Sequence, residues 1–172
     1  DCVAGVSIGA INAALIAGNA PADRVAAMRG FWERVTAPPF GFPFISSWLG
    51  FLEMGGDGPH GVLGGAHAFV SAAGGAPGFF RPRPLPPALA PSGSAAAESF
   101  YDTGPLKATL EELVDFERIN RGEVWFGVGA VNVRTGNLEY FDNTERRIRV
   151  EHVMASGALP PGFPAVEIDG EA

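Results

Sequence analysis

The chain contains one cysteine, Cys2, among 172 residues. No disulfide can form within it, and no Cys/His spacing suited to a metal exists. Cys2 lies in an apolar run and reads as a small buried hydrophobe. A lone thiol is compatible with a cytoplasmic protein, which is the expected location. Charge is scarce as well: 18% of residues are charged, and the net charge is −7. Binding to phosphate backbones needs clustered Lys and Arg, so no nucleic-acid partner is expected. The densest basic cluster, Arg146, Arg147 and Arg149, alternates with Ile148 and Val150. It reads as the solvated face of a strand over about 146–150. Apolar runs of membrane-spanning length are also missing. Residues 3 to 18 are nearly all apolar. Ser7 and Asn12 interrupt them, however, and the run falls short of the ~20 residues that a span needs. No Lys or Arg precedes it, so neither a signal peptide nor a transmembrane segment is expected. A buried core helix explains the same run.

Glycine and proline are abundant, at 24 and 15 residues. They concentrate between about 36 and 100, together with Phe40, Phe42, Phe44, Trp48, Leu49 and Phe51. This composition is neither a flexible linker nor a charged disordered tail. It reads as a loop-rich insertion in one domain over 1–172. Its apolar side chains either line an entrance for a greasy substrate or form a small core of their own. Its aromatics, with Arg81 and Arg83, leave peripheral contact with a membrane surface open. Nothing in the pattern bears on oligomeric state.

The remaining chain alternates strands and helices. Val3–Gly5 reads as a strand end and Ala10–Ala17 as a helix apolar all round, hence buried. Gly18-Asn19 stops it. Pro21 opens a second helix with Val25, Met28, Trp32 and Val35 on one side, and Pro38-Pro39 ends it. A helix from about Pro105 has Leu106, Leu110 and Leu113 as its stripe. "EVWFGVGAVNV" (123–133) reads as a central strand covered on both faces. "RTGN" turns into the strand "LEYF", 138–141. "EHVMASGA" (151–158) reads as a short helix and "AVEI" (165–168) as a last strand before the Asp169-Gly170 turn. The order predicts a three-layer α/β domain with a central, mostly parallel sheet. The first residues read as a strand end and the last as a turn between strands. The fold is therefore expected to be incomplete at both ends, in a piece of a longer protein.

The chemistry centres on "GVSIG", a Gly-x-Ser-x-Gly pentapeptide made by Gly5, Ser7 and Gly9. Composition alone yields about 0.15 chance matches to this pattern in a chain of this length. Its place between a strand and a helix raises its meaning. A serine nucleophile must protrude on a sharp strand-to-helix turn, and flanking glycines remove side chains that would clash there. The Ile8 N–H, at the positive end of a helix, can then hold an oxyanion. Phosphate cradling is the competing reading of a glycine-rich turn. No Lys follows as in a P-loop, and the spacing of Gly5, Gly9 and Gly18 does not fit G-x-G-x-x-G.

"GVSIGAINAALIAGN" resembles the nucleophile elbow of the patatin-like phospholipases. "YDTGPLKATLEELVDFERIN" (101–120) and "HVMASGALPPGFPAVEIDGE" (152–171) resemble two further segments of that family. The resemblance implies a patatin-like fold and hydrolysis of lipid or other acyl esters. It further implies a Ser–Asp dyad, an acyl-serine intermediate, and no metal or cofactor. Ser7 maps onto the nucleophile, with Gly5, Ile8 and Gly9 as elbow and oxyanion elements. The family's aspartate stands in Asp-Gly-Gly or Asp-Gly-Ala. Asp169-Gly170-Glu171 departs from that pattern and reads as a hairpin turn. The base is therefore expected beyond Ala172, with Asp169 as the alternative, and the isolated segment is expected to be nearly inactive. His152 is the only histidine outside the insertion and reads as locally hydrogen-bonded or exposed. The competing class is a non-catalytic acyl-binding or interaction module that keeps the elbow as scaffold.

Overall fold

A computed structural model describes residues 1–37 and 74–172. The apolar run Phe40–Leu52 lies outside the described residues, as do Asp57, His60 and His67. The chain enters through β1 (Cys2–Val6) and passes through one residue into α1 (Ile8–Ala17), followed by α2 (Arg24–Val35). Residues 74–100 are loop-rich: β2 (Arg81–Pro82), a 3-10 turn at Pro87–Leu89, and the short α3 (Ala95–Glu98). Then come β3 (Tyr101–Asp102), α4 (Gly104–Leu113), α5 (Phe116–Asn120), β4 (Trp125–Val131), β5 (Leu138–Asp142) and α6 (Val150–Ser156). The fold is α/β, as the sequence predicts.

The main sheet has the order β1–β4–β5, so β4 is central. It runs parallel to β1, with Val6 opposite Gly129, and antiparallel to β5, with Gly129 opposite Tyr140. β2 and β3 form a separate antiparallel pair. Helix α1 has six buried residues, Ala10, Ile11, Ala13, Ala14, Leu15 and Ala17. Its small side chains let the backbone approach the sheet. They meet Phe126, Val128 and Phe141 from the strands and Leu110, Ile119 and Val153 from the other helices in one core. Side chains alternate between faces along a strand. The face carrying Phe126, Val128 and Ala130 is buried under helices. The opposite face carries Trp125, Gly127, Gly129 and Val131 of β4, beside Val6 of β1 and Leu138 and Tyr140 of β5. Trp125, Val6 and Tyr140 are 40%, 54% and 69% exposed there. The near-continuous apolar run thus marks a central strand, with helices on one of its faces among the described residues.

Several local expectations change. Cys2 is exposed, because its position on β1 faces the open side of the sheet. Helix α2 starts at Arg24, after a turn at 21–23. Phe31, fully buried, anchors it, whereas Val25 is 68% exposed. Met28 and Val35 of the expected stripe pack against the core, and Phe31 lies against Phe79 as the most buried residue of the helix. The bidentate pair of Arg34 with Glu112 on α4 is exposed, screened by water and secondary to that burial.

The strand expected over 146–150 does not form. Ile148 and Val150 are buried and Arg146, Arg147 and Arg149 exposed, so the alternation is real. No strand among the described residues pairs with it. The Asn120 side chain takes the place of a ladder partner: its Oδ1 accepts from Ile148 N–H at 2.7 Å and its Nδ2 donates to Ile148 C=O at 2.9 Å. Val150 then begins α6. The last strand, 165–168, shrinks to one bridge between Ile168 and Glu171. The turn between them is as expected. Asp169 and Gly170 both have positive φ, 52° and 88°, the signature of a tight type I′ hairpin turn.

Removing the Asn120 side chain leaves both main-chain groups of buried Ile148 unpaired. Asn120→Ala is expected to cost about 2 kcal/mol and to lower Tm by about 4–8 °C. Thermal melting followed by circular dichroism checks this; an unchanged Tm would contradict the role given to Asn120.

Candidate active site

Between β1 and α1 the chain reverses direction at Ser7 alone. Its φ of 56° and ψ of −124° lie outside the regions open to residues with a Cβ. Such a conformation costs of the order of 1–3 kcal/mol and persists only where its surroundings enforce it. The Ser7 carbonyl starts the helix, accepting from Ala10 N–H at 2.9 Å and Ile11 N–H at 3.3 Å. Ser7 is exposed, and its hydroxyl has no hydrogen-bond partner among the described residues.

The tightness of the turn explains Gly5. A Cβ there would fall 2.2 Å from the carbonyl carbon of Gly9 and 2.3 Å from its oxygen, backbone that cannot yield. Gly9 differs from the expectation that both glycines relieve a clash: a Cβ there meets nothing within 4 Å among the described residues. Gly5 is thus required by close approach of the strand to the first helical turn, and Gly9 is not required by local packing.

The first turn of α1 presents donors. Ala10 is the first residue whose N–H is used inside the helix, so the N–H groups of Ile8 and Gly9 are free among the described residues. They sit at the positive end of the helix dipole, beside the Ser7 hydroxyl, where negative charge is stabilised. The Ser7 N–H is committed elsewhere. It donates to the Ser156 hydroxyl on α6 at 2.8 Å, and that hydroxyl donates to the Gly129 carbonyl on β4 at 2.6 Å.

Ser7, Gly5, Ile8 and Gly9 therefore form one strand–turn–helix unit. Asp169 forms no hydrogen bond to it among the described residues. The Asp169 carboxylate is exposed and accepts from Arg149 Nη2 at 2.7 Å. The Arg149 guanidinium holds its pKa below the usual carboxylate range. A carboxylate so stabilised is a poorer proton acceptor. His152 is buried, at 1% exposure, in the first turn of α6. Its Nδ1 accepts from Arg149 N–H at 3.0 Å and its ring meets Phe141 edge-on, with centroids 4.9 Å apart. The local hydrogen bond expected of it is present. Burial is the main cause holding its pKa below the usual histidine range; the hydrogen bond to the Arg149 main chain opposes it, the Arg149 and Arg146 charges add to it, and Asp169 opposes.

The sequence model of the patatin-like phospholipases matches residues 1–172. The chain belongs to the patatin-like phospholipase family. No curated protein and no solved structure gives a significant match. Membership carries lipid acyl hydrolysis as the general activity of the patatin-like fold, consistent with a lipid substrate. No helix among the described residues is long and apolar enough to cross a membrane.

Sequence reasoning missed Ser156. It was visible only as part of the patatin-like stretch "HVMASGALPP", and its partner Ser7 lies 149 residues away. Its local signal is a hydroxyl directly after the apolar residues Val153, Met154 and Ala155.

Two measurements follow from this geometry. Gly5→Ala is expected to destabilise by at least about 3 kcal/mol through the backbone clash. Gly9→Ala is expected to stabilise by about 0.5–1 kcal/mol, since it lies in a helix with open space at its Cβ; denaturant midpoints compare the two. Separately, the unfolded chain protonates His152 near its ordinary pKa of about 6.5, whereas the folded chain resists. Stability present above that pH should decline as pH falls through it. His152→Gln keeps an acceptor for Arg149 N–H and should flatten the decline between about pH 6.5 and 5, read as urea midpoints across pH.

Proposed function

We propose that the protein containing this chain is a serine acyl hydrolase, a lipid or phospholipid esterase, with Ser7 as its nucleophile. The observation that carries this is the strained Ser7 conformation, which presents a hydroxyl without a hydrogen-bond partner among the described residues, beside the Ile8 and Gly9 N–H groups that are free among them. Strain of this kind is concentrated at functional positions.

In the proposed reaction Ser7 Oγ attacks the ester carbonyl carbon as its proton passes to a base. The carbonyl oxygen becomes an oxyanion, held by the Ile8 N–H with Gly9 beside it. One such donor is worth about 10²–10³ in rate. Collapse breaks the ester C–O bond and the base returns the proton to the departing alcohol. Water then attacks the acyl-serine by the same route, releasing the acid and restoring Ser7. We read the base as an aspartate, forming a Ser–Asp dyad. The reading that it is not Asp169 is supported by the turn geometry and by the Arg149 contact. The proposed substrate surface is a lipid aggregate approached peripherally, and a cytoplasmic location agrees with the lone exposed thiol.

A fluorophosphonate probe applied to the protein containing this chain tests the reading. Labelling should be lost in Ser7→Ala and retained in Asp169→Asn. Labelling that survives Ser7→Ala could not come from Ser7, and an unlabelled wild type would favour the non-catalytic module. Loss of labelling in Asp169→Asn with unchanged Tm would return Asp169 to the role of base.

A further inference from the structure

We propose that Ser156 is the positioning residue for the nucleophile, its hydroxyl replacing the last rung of the β1–β4 ladder and holding Ser7 off the sheet. The proposal rests on the reading of Ser7 as nucleophile.

The phase of the ladder comes from its first rung. Trp125 N–H donates to the Asp1 carbonyl at 3.1 Å. In a parallel pair the residue that bonds both ways to the neighbouring strand recurs at every second position. Trp125, Gly127 and Gly129 therefore face β1 with their main-chain groups. Extended by one rung, the Gly129 carbonyl is due to accept from the Ser7 N–H, one residue past the Val6–Gly129 pair. That bond is not made. The Ser156 hydroxyl stands between the two groups, accepting from Ser7 N–H at 2.8 Å and donating to Gly129 C=O at 2.6 Å.

The substitution has a geometric consequence. A direct rung would hold Ser7 N about 2.9 Å from the β4 carbonyl and continue the strand through Ser7. Two bonds in series through a hydroxyl hold it farther away. Ser7 can then leave the pleat and adopt φ 56°, ψ −124° without orphaning either main-chain group. The hydroxyl is fit for this task because it both donates and accepts. Ser156 is 9% exposed, so water is poorly placed to substitute for it. The same contact consumes the Ser7 N–H, leaving Ile8 and Gly9 as the free donors of the elbow among the described residues. It also couples the elbow to α6, because the Ser156 side chain is fixed by that helix.

Removing the hydroxyl leaves two outcomes for the elbow. Either Ser7 N–H and Gly129 C=O stay unpaired, or the gap closes and Ser7 is drawn back towards the ladder. The first leaves Oγ without its restraint and the second displaces it relative to the Ile8 N–H, and a displacement of about 1 Å can cost about 10²-fold in rate. The test uses the protein containing this chain, with p-nitrophenyl butyrate hydrolysis, fluorophosphonate labelling rate and Tm measured on the same samples. Ser156→Ala should lower kcat and the labelling rate by about 10²-fold while KM moves by less than about threefold. Ser156→Thr restores a hydroxyl, and should recover most of kcat even though its added methyl lowers Tm. A kcat that stays within about threefold of wild type in Ser156→Ala, with a lowered Tm, would overturn the proposal and leave Ser156 as a structural tie. If Ser156→Ala does not fold, Ser156→Cys keeps the volume with a weaker hydrogen bond. Lost kcat at retained Tm in Ser156→Cys supports the proposal, and retained kcat overturns it. Activity that survives Ser7→Ala in the same assays would instead overturn the nucleophile reading, independently of Ser156.

Discussion

A serine held at φ 56° and ψ −124° is costly by about 1–3 kcal/mol, and the surrounding fold has to enforce it. Three contacts do so. Gly5 lets the strand pass within reach of the Gly9 backbone, at a separation no side chain permits. The Ser7 carbonyl is taken by Ala10 and Ile11 at the start of α1, and its N–H by the Ser156 hydroxyl on α6. The turn is thus locked from the strand before it, the helix after it, and a second helix distant in sequence. The burial of α1 supplies the free energy: its apolar residues pack under the sheet and keep the helix from sliding away from the turn.

The sheet is built around this need for close approach. Small residues dominate where α1 approaches the strands, with alanines along its buried side. The glycines of β4 have their effect on the open face. A Cβ at Gly127 would meet the Trp125 ring at 2.7 Å, and one at Gly129 would meet Val6 and Tyr140 at 3.2 and 3.3 Å. Large side chains from neighbouring positions fold over the glycines. The face is therefore apolar and shallowly furrowed, and not flat. Asparagines manage the polar ends elsewhere. Asn19 donates to the last carbonyls of α1 and α4, and Asn143 to Ile119 and Val124 while accepting from Phe126. Asn19 thereby ties α1 to α4, and Asn143 ties the end of α5 to the start of β4.

Much of this was legible in the residues. The strand–turn–helix at Ser7, the buried all-apolar α1, the Leu106–Leu110 stripe, the central β4 and the Asp169-Gly170 turn follow from periodicity and from Gly and Pro chemistry. The 146–150 segment was misread because alternation reports burial, not pairing. Ile148 is buried and extended, but a side chain satisfies its backbone, and no pattern in the segment itself encodes Asn120 as that partner. The stripe of α2 was read in part: Met28 and Val35 pack against the core, whereas Val25 and Trp32 are exposed and contact with Phe79 makes Phe31 the buried anchor.

The site divides in the same way. Sequence alone determined that residue 7 is a serine on a sharp turn, because Gly5 and the strand-to-helix change are local facts with local steric causes. It likewise determined that Asp169 occupies a tight turn, since Asp-Gly suits the positive φ values found there. Only the tertiary structure decided which carboxylate has its charge neutralised by Arg149, which glycine is sterically required, and that a hydroxyl on α6 ends the β1–β4 ladder. Those depend on groups brought together across up to 149 residues, where spacing in the chain carries no information about distance in space.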